Sequence, residues 1–306
     1  MNIYRSFEEA SGIKNPVVTT GSFDGVHVGH KTILRRLISL AELHNGESVL
    51  ITFDPHPRKV LYPETAGKDL KLISSQQEKL ELLSKAGLDN VIIIEFTLEF
   101  SKITSEQFVR DLLHGILKAR VIVAGFNHHF GFNKEGDYKQ LWGWQNKYNF
   151  SAEEIPEQEV ENETVSSTRI RKALSEGYIQ RANAYLDHYY IVMGKPQALS
   201  FKPEIDCPAL YELPLTEECK LLPSPGIYAV SAEAGSYHSK ALALIHLNKE
   251  NKAELLVNFF IDIPLNTDNT VVISFRKRIH GAINISDSKF LQRMNQAKEE
   301  ISELIY

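Results

Sequence analysis

The period of apolar and polar positions changes along this chain, and the change divides it. From Val17 to Ala124, short apolar runs alternate with stretches that repeat every three to four residues. Pro16-Val17-Val18-Thr19-Thr20, Ser48-Val49-Leu50-Ile51-Thr52-Phe53, Val91-Ile92-Ile93-Ile94-Glu95-Phe96 and Val121-Ile122-Val123-Ala124 each read as a strand. The third is apolar enough to be buried on both faces. Lys31 to His44 reads as a helix, with Ile33, Leu34, Leu37, Ile38 and Ala41 along one side. Ser74 to Ala86 reads as another, with a serine start and a stop at Gly87. Thr104 and Gln107 stand at capping-box spacing ahead of a third. Strands alternating with helices predict an α/β fold with a Rossmann-like, doubly wound parallel sheet. Such sheets bind ligands at the carboxyl ends of their strands.

Beyond Tyr189 the texture differs. Lys195 to Pro225 contains no glycine and six of the chain's 12 prolines. Short β-like runs follow at Ile227–Val230, Ala241–Ile245, Leu255–Phe260 and Val271–Phe275. The end is helical, with Phe290, Met294, Ala297, Ile301 and Leu304 in steps of four and three. The pattern places a boundary near Leu186, giving domains 1–186 and 187–306, the second β-rich with a C-terminal helix.

Composition adds bounds rather than chemistry. The chain has 306 residues, of which 43% are hydrophobic and 24% charged, enough to bury a sizeable core. A formal net charge of -5 with mixed signs argues against general nucleic-acid or membrane-surface binding. Two cysteines, Cys207 and Cys219, without metal-ligand spacing leave a reducing cytosol as the expected compartment. Neither a signal peptide nor a membrane-spanning run is read from the sequence.

The chemistry concentrates in loops. After the first strand comes Gly21-Ser22-Phe23-Asp24-Gly25-Val26-His27-Val28-Gly29-His30. Gly21, Gly25 and Gly29 let backbone approach a polyphosphate, and the following helix aims free N–H groups at it. His27 and His30 can each donate to phosphate oxygens. A Walker loop needs Gly directly before Lys, and His30 intervenes before Lys31. Two histidines three apart make half a metal site; a flexible turn carrying surface histidines is the plain alternative. Asp54-Pro55-His56-Pro57 is a proline-frozen turn after the second strand. Gly125-Phe126-Asn127-His128-His129-Phe130-Gly131-Phe132 follows the fourth strand, either as a stacking surface or as an apolar plug. Ser166-Ser167-Thr168-Arg169-Ile170-Arg171 sets hydroxyls and two guanidinium groups at a helix start, an ordinary cap or an anion site.

The Gly21–His30 stretch resembles the signature of the H-x-G-H nucleotidyltransferases, in the form found in bacterial FAD synthetases, which are usually fused to riboflavin kinase. The resemblance covers the first 190 residues well. It implies adenylylation of FMN by ATP, with Mg²⁺ on the phosphates and FAD as product. It assigns His27, His30 and Arg169 to catalysis. Gly21, Ser22, Phe23, Asp24, Gly25, Gly29, Ser166, Ser167, Thr168 and Arg171 fall to ATP. Asp54, His56, Pro57, Asn127 and Phe130 fall to the flavin, and no residue to a protein-held metal. His128 stands where the family usually has Phe. Small molecules are the implied partners, with no nucleic acid and no membrane.

For the second domain the resemblance implies a six-stranded barrel that phosphorylates riboflavin. Its hallmark Gly-Phe-Pro-Thr-Ala-Asn motif belongs between Gly194 and Gly226, where nothing matches it. The family's Glu-x-His region falls near Glu254 to Phe259, which contains no His. The expectation is a kept fold with the kinase activity lost. A fully bifunctional enzyme and a non-catalytic flavin or nucleotide sensor are the alternatives.

Overall fold

The computed structural model describes residues 1–126, 128–156, 159–160, 163–199, 210–261, 270–285 and 287–304. The chain divides into two compact units: Met1–Leu70 with Lys79–Val165, and Lys71–Glu78 with Ser166–Tyr306.

The first unit is built on six parallel strands. These are β1 (Asn2–Tyr4), β2 (Val17–Thr20), β3 (Ser48–Asp54), β4 (Asn90–Glu95), β5 (Val121–Gly125) and β6 (Ser151–Ile155), in the order β1-β4-β3-β2-β5-β6. The four strands read from the pattern are β2 to β5. The edge strands escape it because β1 is largely exposed and β6 interleaves Glu153 and Glu154 with Ala152 and Ile155. A small antiparallel pair, β7 (Glu159–Val160) and β8 (Glu163–Thr164), follows.

Successive residues of the inner strands feed opposite faces. Val18, Val49, Ile51 and Ile92 enter one core, while Val17, Leu50, Val91 and Ile93 enter the other. A strand buried on both sides must be apolar at every position, hence the continuous runs. Helix α1 (Val28–Leu43) covers the second face with Leu34, Leu37, Leu40 and Ala41. It starts one turn earlier than the periodicity predicts, because Gly29 and His30 carry no apolar signal. After α2 (Pro57–Leu61), α3 (Gln76–Lys85) groups with the second unit as far as Glu78. Helix α4 (Ser105–Gln107) opens on the expected Thr104/Gln107 capping box and continues with π winding through Phe108–Ile116. Helix α5 (Tyr138–Tyr148) is capped by Asp137.

The sheet order places β2 at a switch point. The chain moves from β2 to β3 on one side, then later to β5 on the other. The β2–β5 ladder pairs Val17 with Val121 and Val18 with Ile122, and ends there. The Thr19 hydroxyl donates to the Val123 carbonyl at 2.8 Å, the last tie before the strand ends. A crevice outside such ends is where this fold class binds ligands.

The second unit carries α6 (Ser167–Ser175), α7 (Ile179–Leu186) and a curled antiparallel sheet. Its strands are β9 (Tyr190–Gly194), β10 (Gln197–Ala198), β11 (Leu210–Glu212), β12 (Gly226–Ala234), β13 (Tyr237–Leu247), β14 (Ala253–Phe259) and β15 (Val271–His280). The order is β10-β11-β14-β13-β12-β15-β9. Seven strands replace the six expected, and among the described residues β9 and β10 do not pair, leaving the barrel-like sheet open. Helix α8 (Phe290–Glu303) buries Phe290, Met294, Ala297 and Ile301 against Ile227, Leu242 and Leu244, as its spacing predicts.

Packing draws its division after Val165, whereas the end of strand–helix alternation falls after Leu186. Helix α7 illustrates the difference: Asn183 donates to the Phe275 carbonyl at 2.9 Å and accepts from the Tyr190 N–H at 2.7 Å. The 71–78 segment joins the same unit through a buried ion pair, Lys220 Nζ to Glu78 Oε2 at 2.6 Å. Lys220 also donates to the carbonyls of Ile73 and Ile191, at 2.6 and 2.8 Å. Glu78 accepts from the N–H groups of Ser75 and Met193, at 2.8 and 2.9 Å. Cys219 is a free thiol, and Cys207 lies outside the described residues.

Candidate active site

The loops that shape the crevice in the first unit follow the carboxyl ends of β2, β3 and β5. Beyond β2 the backbone turns through two residues that an L side chain rarely permits: Phe23 at φ 47° and Val26 at φ 41°. A β-branched residue in the left-handed region is a genuine outlier, and such strain concentrates at functional loops. Between them Gly25, at φ 79°, takes the same region at no steric cost. The contortion sends the chain directly into α1. The first helical acceptor, the His27 carbonyl, takes the Lys31 N–H at 2.9 Å. The amides of Val28, Gly29 and His30 therefore have no carbonyl within the helix. They form an anion-seeking end, reinforced by the helix dipole.

The two histidines flank that end as a stack. The rings of His27 and His30 lie 3.7 Å apart at 19°, and Phe23 covers the other side of His30 at 4.4 Å. A Cβ at residue 29 would come within 3.3 Å of the His27 ring, so glycine lets the stack close. Nδ1 of His30 is buried without a hydrogen-bond partner among the described residues. Burial, then the neighbouring His27, then Lys79 hold the His30 imidazole well below its ordinary pKa. The 3.7 Å stack itself disfavours a second like charge beside His27, in line with the direction of the His30 shift. A polyphosphate would reverse that balance.

Beneath the loop lies a pair that the sequence reading missed. Lys79 is buried on α3 and donates to the Thr52 hydroxyl at 3.2 Å and the Ser22 carbonyl at 3.4 Å. Thr52, on β3, donates to the same carbonyl at 3.3 Å. One signal was available: Lys79 stands four residues before the fully buried Leu83, on the apolar side of α3, where a lysine is seldom buried without a task.

Two cavities flank the loop. The smaller, about 300 Å³, is lined by Gly21, Ser22, Phe23, His27, Gly29 and His30, with Gly125 and Phe126 from the end of β5. The larger, about 750 Å³, is lined by Phe53, Phe96, Phe100, Phe108 and Phe130, with His56 and Pro57 at the start of α2. These phenylalanines contact one another edge-on or tilted, at centroid distances of 5.4 to 6.4 Å. His56 caps α2, its Nδ1 accepting from the Arg58 N–H at 3.2 Å. The cavities share Thr20, Gly21, Ser22 and His128.

The loop glycines, Ser22, Phe23 and both histidines thus surround one end of the crevice, and His56, Pro57 and Phe130 the other. Asp24 is buried within the loop without lining either cavity, and Asp54 is exposed outside the larger one. Asn127 lies outside the described residues. Ser166, Ser167, Thr168, Arg169 and Arg171 belong to the second unit, where Ser166 caps α6 by accepting from the Arg169 N–H at 3.4 Å. Among the described residues no group of three or more His, Cys, Asp and Glu is placed to hold a metal. No helix among them is long and apolar enough to cross a membrane.

Comparisons with known proteins place the chain among relatives. The family described as FAD synthetase matches residues 10–169. The bifunctional riboflavin kinase/FMN adenylyltransferase of Listeria monocytogenes serovar 1/2a is 27% identical over 274 residues, which is 87% of this chain and 81% of that protein. The FAD synthetase of the same organism is 31% identical over 178 residues, covering 58% of this chain and 71% of that one. The bifunctional enzyme of Escherichia coli K12 is 29% identical over 179 residues, 58% of this chain and 56% of the relative. A solved structure titled macrolide-efflux protein, from Streptococcus pneumoniae, superimposes with a TM-score of 0.85 over 100% of both chains. At 24% identity that likeness speaks for the fold alone.

Proposed function

The chain belongs to the FAD synthetase family, and from that premise we propose that it transfers the adenylyl group of ATP to FMN, with its riboflavin kinase activity lost. A phosphate oxygen of FMN attacks the α-phosphorus, the bond to the β-phosphate breaks, and pyrophosphate leaves with FAD as the other product. The nucleophile is an anion at neutral pH and needs no general base. The barrier is electrostatic, an anion approaching a polyanion, so catalysis comes from positioning and charge. The observation that carries the reading is the pair of cavities sharing one wall. One has a helix N-terminus and two stacked imidazoles; the other has a phenylalanine lining and about 750 Å³ for a flavin. His27 and His30 would donate hydrogen bonds as charge builds on the phosphates. Arg169 and Arg171, with Ser166 to Thr168, are assigned to the phosphates on the strength of their motif alone. Mg²⁺ would accompany ATP and offset charge on its phosphates, a role that would need no protein cage. Synthesis of this kind is expected in the cytosol.

The loss of kinase activity rests on the glycine-free stretch from Lys195 to Pro225, which cannot make a glycine-rich phosphate loop. One observation favours a retained kinase instead. Glu254 lines a cavity of about 570 Å³ in the second unit, and His246 from β13 brings Nε2 within 3.3 Å of its carboxylate. A histidine beside that glutamate is thus supplied by the neighbouring strand. Incubation with Mg-ATP and either FMN or riboflavin, followed by chromatography of the flavins, decides between them. FAD from FMN alone supports the proposal, and FMN from riboflavin overturns its second half. Tight flavin binding without turnover would make the protein a sensor.

A further inference from the structure

The side chain at the meeting point of the two cavities is an imidazole. His128 lines both the aromatic cavity and the phosphate-loop cavity, along with Thr20, Gly21 and Ser22. Its ring lies parallel to that of Phe130, 6.0 Å away at 16°. Its Nε2 is buried and has no hydrogen-bond partner among the described residues. A buried polar atom without a partner is destabilising, and where it is retained it calls for a missing partner.

Adenylyl transfer fixes what that partner must be. If the aromatic cavity takes the isoalloxazine ring and the loop cavity takes the triphosphate, the flavin's phosphate must cross the wall between them. The wall offers backbone at Gly21, the two short hydroxyl residues Thr20 and Ser22, and the imidazole of His128. Resting on the adenylyl-transfer reading, we propose that His128 is a specificity-determining residue that receives the terminal phosphate of the flavin nucleotide through a hydrogen bond donated by Nε2. Burial, then His129, lower the pKa of this imidazole to about 4, so the ring meets its ligand neutral at working pH. It therefore selects the phosphate by a directed N–H rather than by charge. It separates FMN from riboflavin without adding a cation that would also hold pyrophosphate.

The test measures binding of FMN and of riboflavin separately, by flavin fluorescence without ATP, alongside steady-state FAD synthesis. His128→Phe keeps the ring against Phe130 and removes the nitrogen. His128→Gln places an amide N–H at the reach of Nε2. The Phe variant is expected to raise the Kd and KM for FMN about ten- to a hundredfold, the loss of one hydrogen bond to a charged group. Its riboflavin Kd and ATP KM should stay within about twofold, and the Gln variant should recover part of the FMN affinity. An unchanged FMN-to-riboflavin affinity ratio in the Phe variant overturns the assignment, as does an equal loss for both flavins, which would reduce His128 to packing. The binding arm decides even if the native protein makes no FAD, an outcome that would sink the adenylyl-transfer reading on its own.

Discussion

Glu78 and Lys79 are consecutive in the chain, both buried, and belong to different units. Glu78 meets Lys220 at 2.6 Å and two backbone N–H groups, in a network where each named atom has its complement. Lys79 meets the Thr52 hydroxyl and the Ser22 carbonyl under a strained loop, in a region that also contains the unpartnered Nδ1 of His30. Buried polar groups that satisfy one another hold a fold together. Buried polar groups left open are tolerated where a ligand completes them. On that criterion we read the Glu78–Lys220 network as scaffold and the region around Lys79 as part of the proposed site. The distinction can be broken experimentally.

The largest effect is expected on the scaffold side. Lys220→Met strands the Glu78 carboxylate in the interior, and removing one partner of a buried pair costs about 3–5 kcal/mol. Urea denaturation should show that loss. Adding Glu78→Gln should recover part of it, because the amide oxygen still accepts from Met193 without an unpaired charge. Below the transition, kcat for FAD synthesis should stay within about twofold of native if the network is scaffold alone. A large fall in kcat from a fully folded variant would erase the contrast from one side.

His30→Ala attacks it from the other. Loss of one donor aimed at developing charge typically lowers kcat about 10²–10³-fold, or ~3–4 kcal/mol in the barrier. KM for FMN should move far less, since the contact strengthens only as charge builds. Stability should fall modestly, because the loss of a ring stacked between Phe23 and His27 leaves a cavity, offset in part by removal of a buried nitrogen without a partner among the described residues. A near-normal kcat would sink the catalytic assignment.

The histidines also give the first unit an acid limit. His128 has a folded pKa of about 4 against an ordinary 6.5, so the unfolded chain binds the proton first as pH falls. Its contribution is intact above pH 6.5 and shrinks as pH drops toward 4, by about 2 kcal/mol at pH 5. His30 acts in the same direction. Urea titrations at pH 7 and pH 5 should therefore show a steeper acid loss for the native protein than for His128→Phe. Parallel losses would mean that the ring is charged in the folded protein.

How much of this was legible beforehand follows from what kind of signal each part leaves. The inner strands announced themselves because burial on both faces demands unbroken apolar runs, as at Val91 to Ile94. Helix α8 did so through the spacing of Phe290, Met294, Ala297 and Ile301. Edge strands β1 and β6, half polar, did not. The Gly21–His30 loop was legible as a candidate because glycine spacing and histidines are local in sequence. Lys79 was not, because its burial depends on a contact with Ser22 across 57 residues, and the start of α1 was hidden because Gly29 and His30 carry no apolar signal. The seventh strand and the His246–Glu254 pairing depend on sheet register, which no local pattern specifies.

The smallest expected effect tests the missed pair most directly. Thr52→Val keeps the shape of a fully buried residue and removes one hydroxyl. That hydroxyl both accepts from Lys79 and donates to the Ser22 carbonyl. If the pair only supports the fold, the variant loses about 1 kcal/mol of stability and FAD synthesis is untouched. If it sets the loop that meets the triphosphate, kcat/KM for ATP falls about fivefold while KM for FMN stays level, because Ser22 would shift toward the nucleotide end. We expect the second outcome. The first would place Lys79 beside Glu78 as scaffold, and consecutive residues would no longer divide a fold from its site.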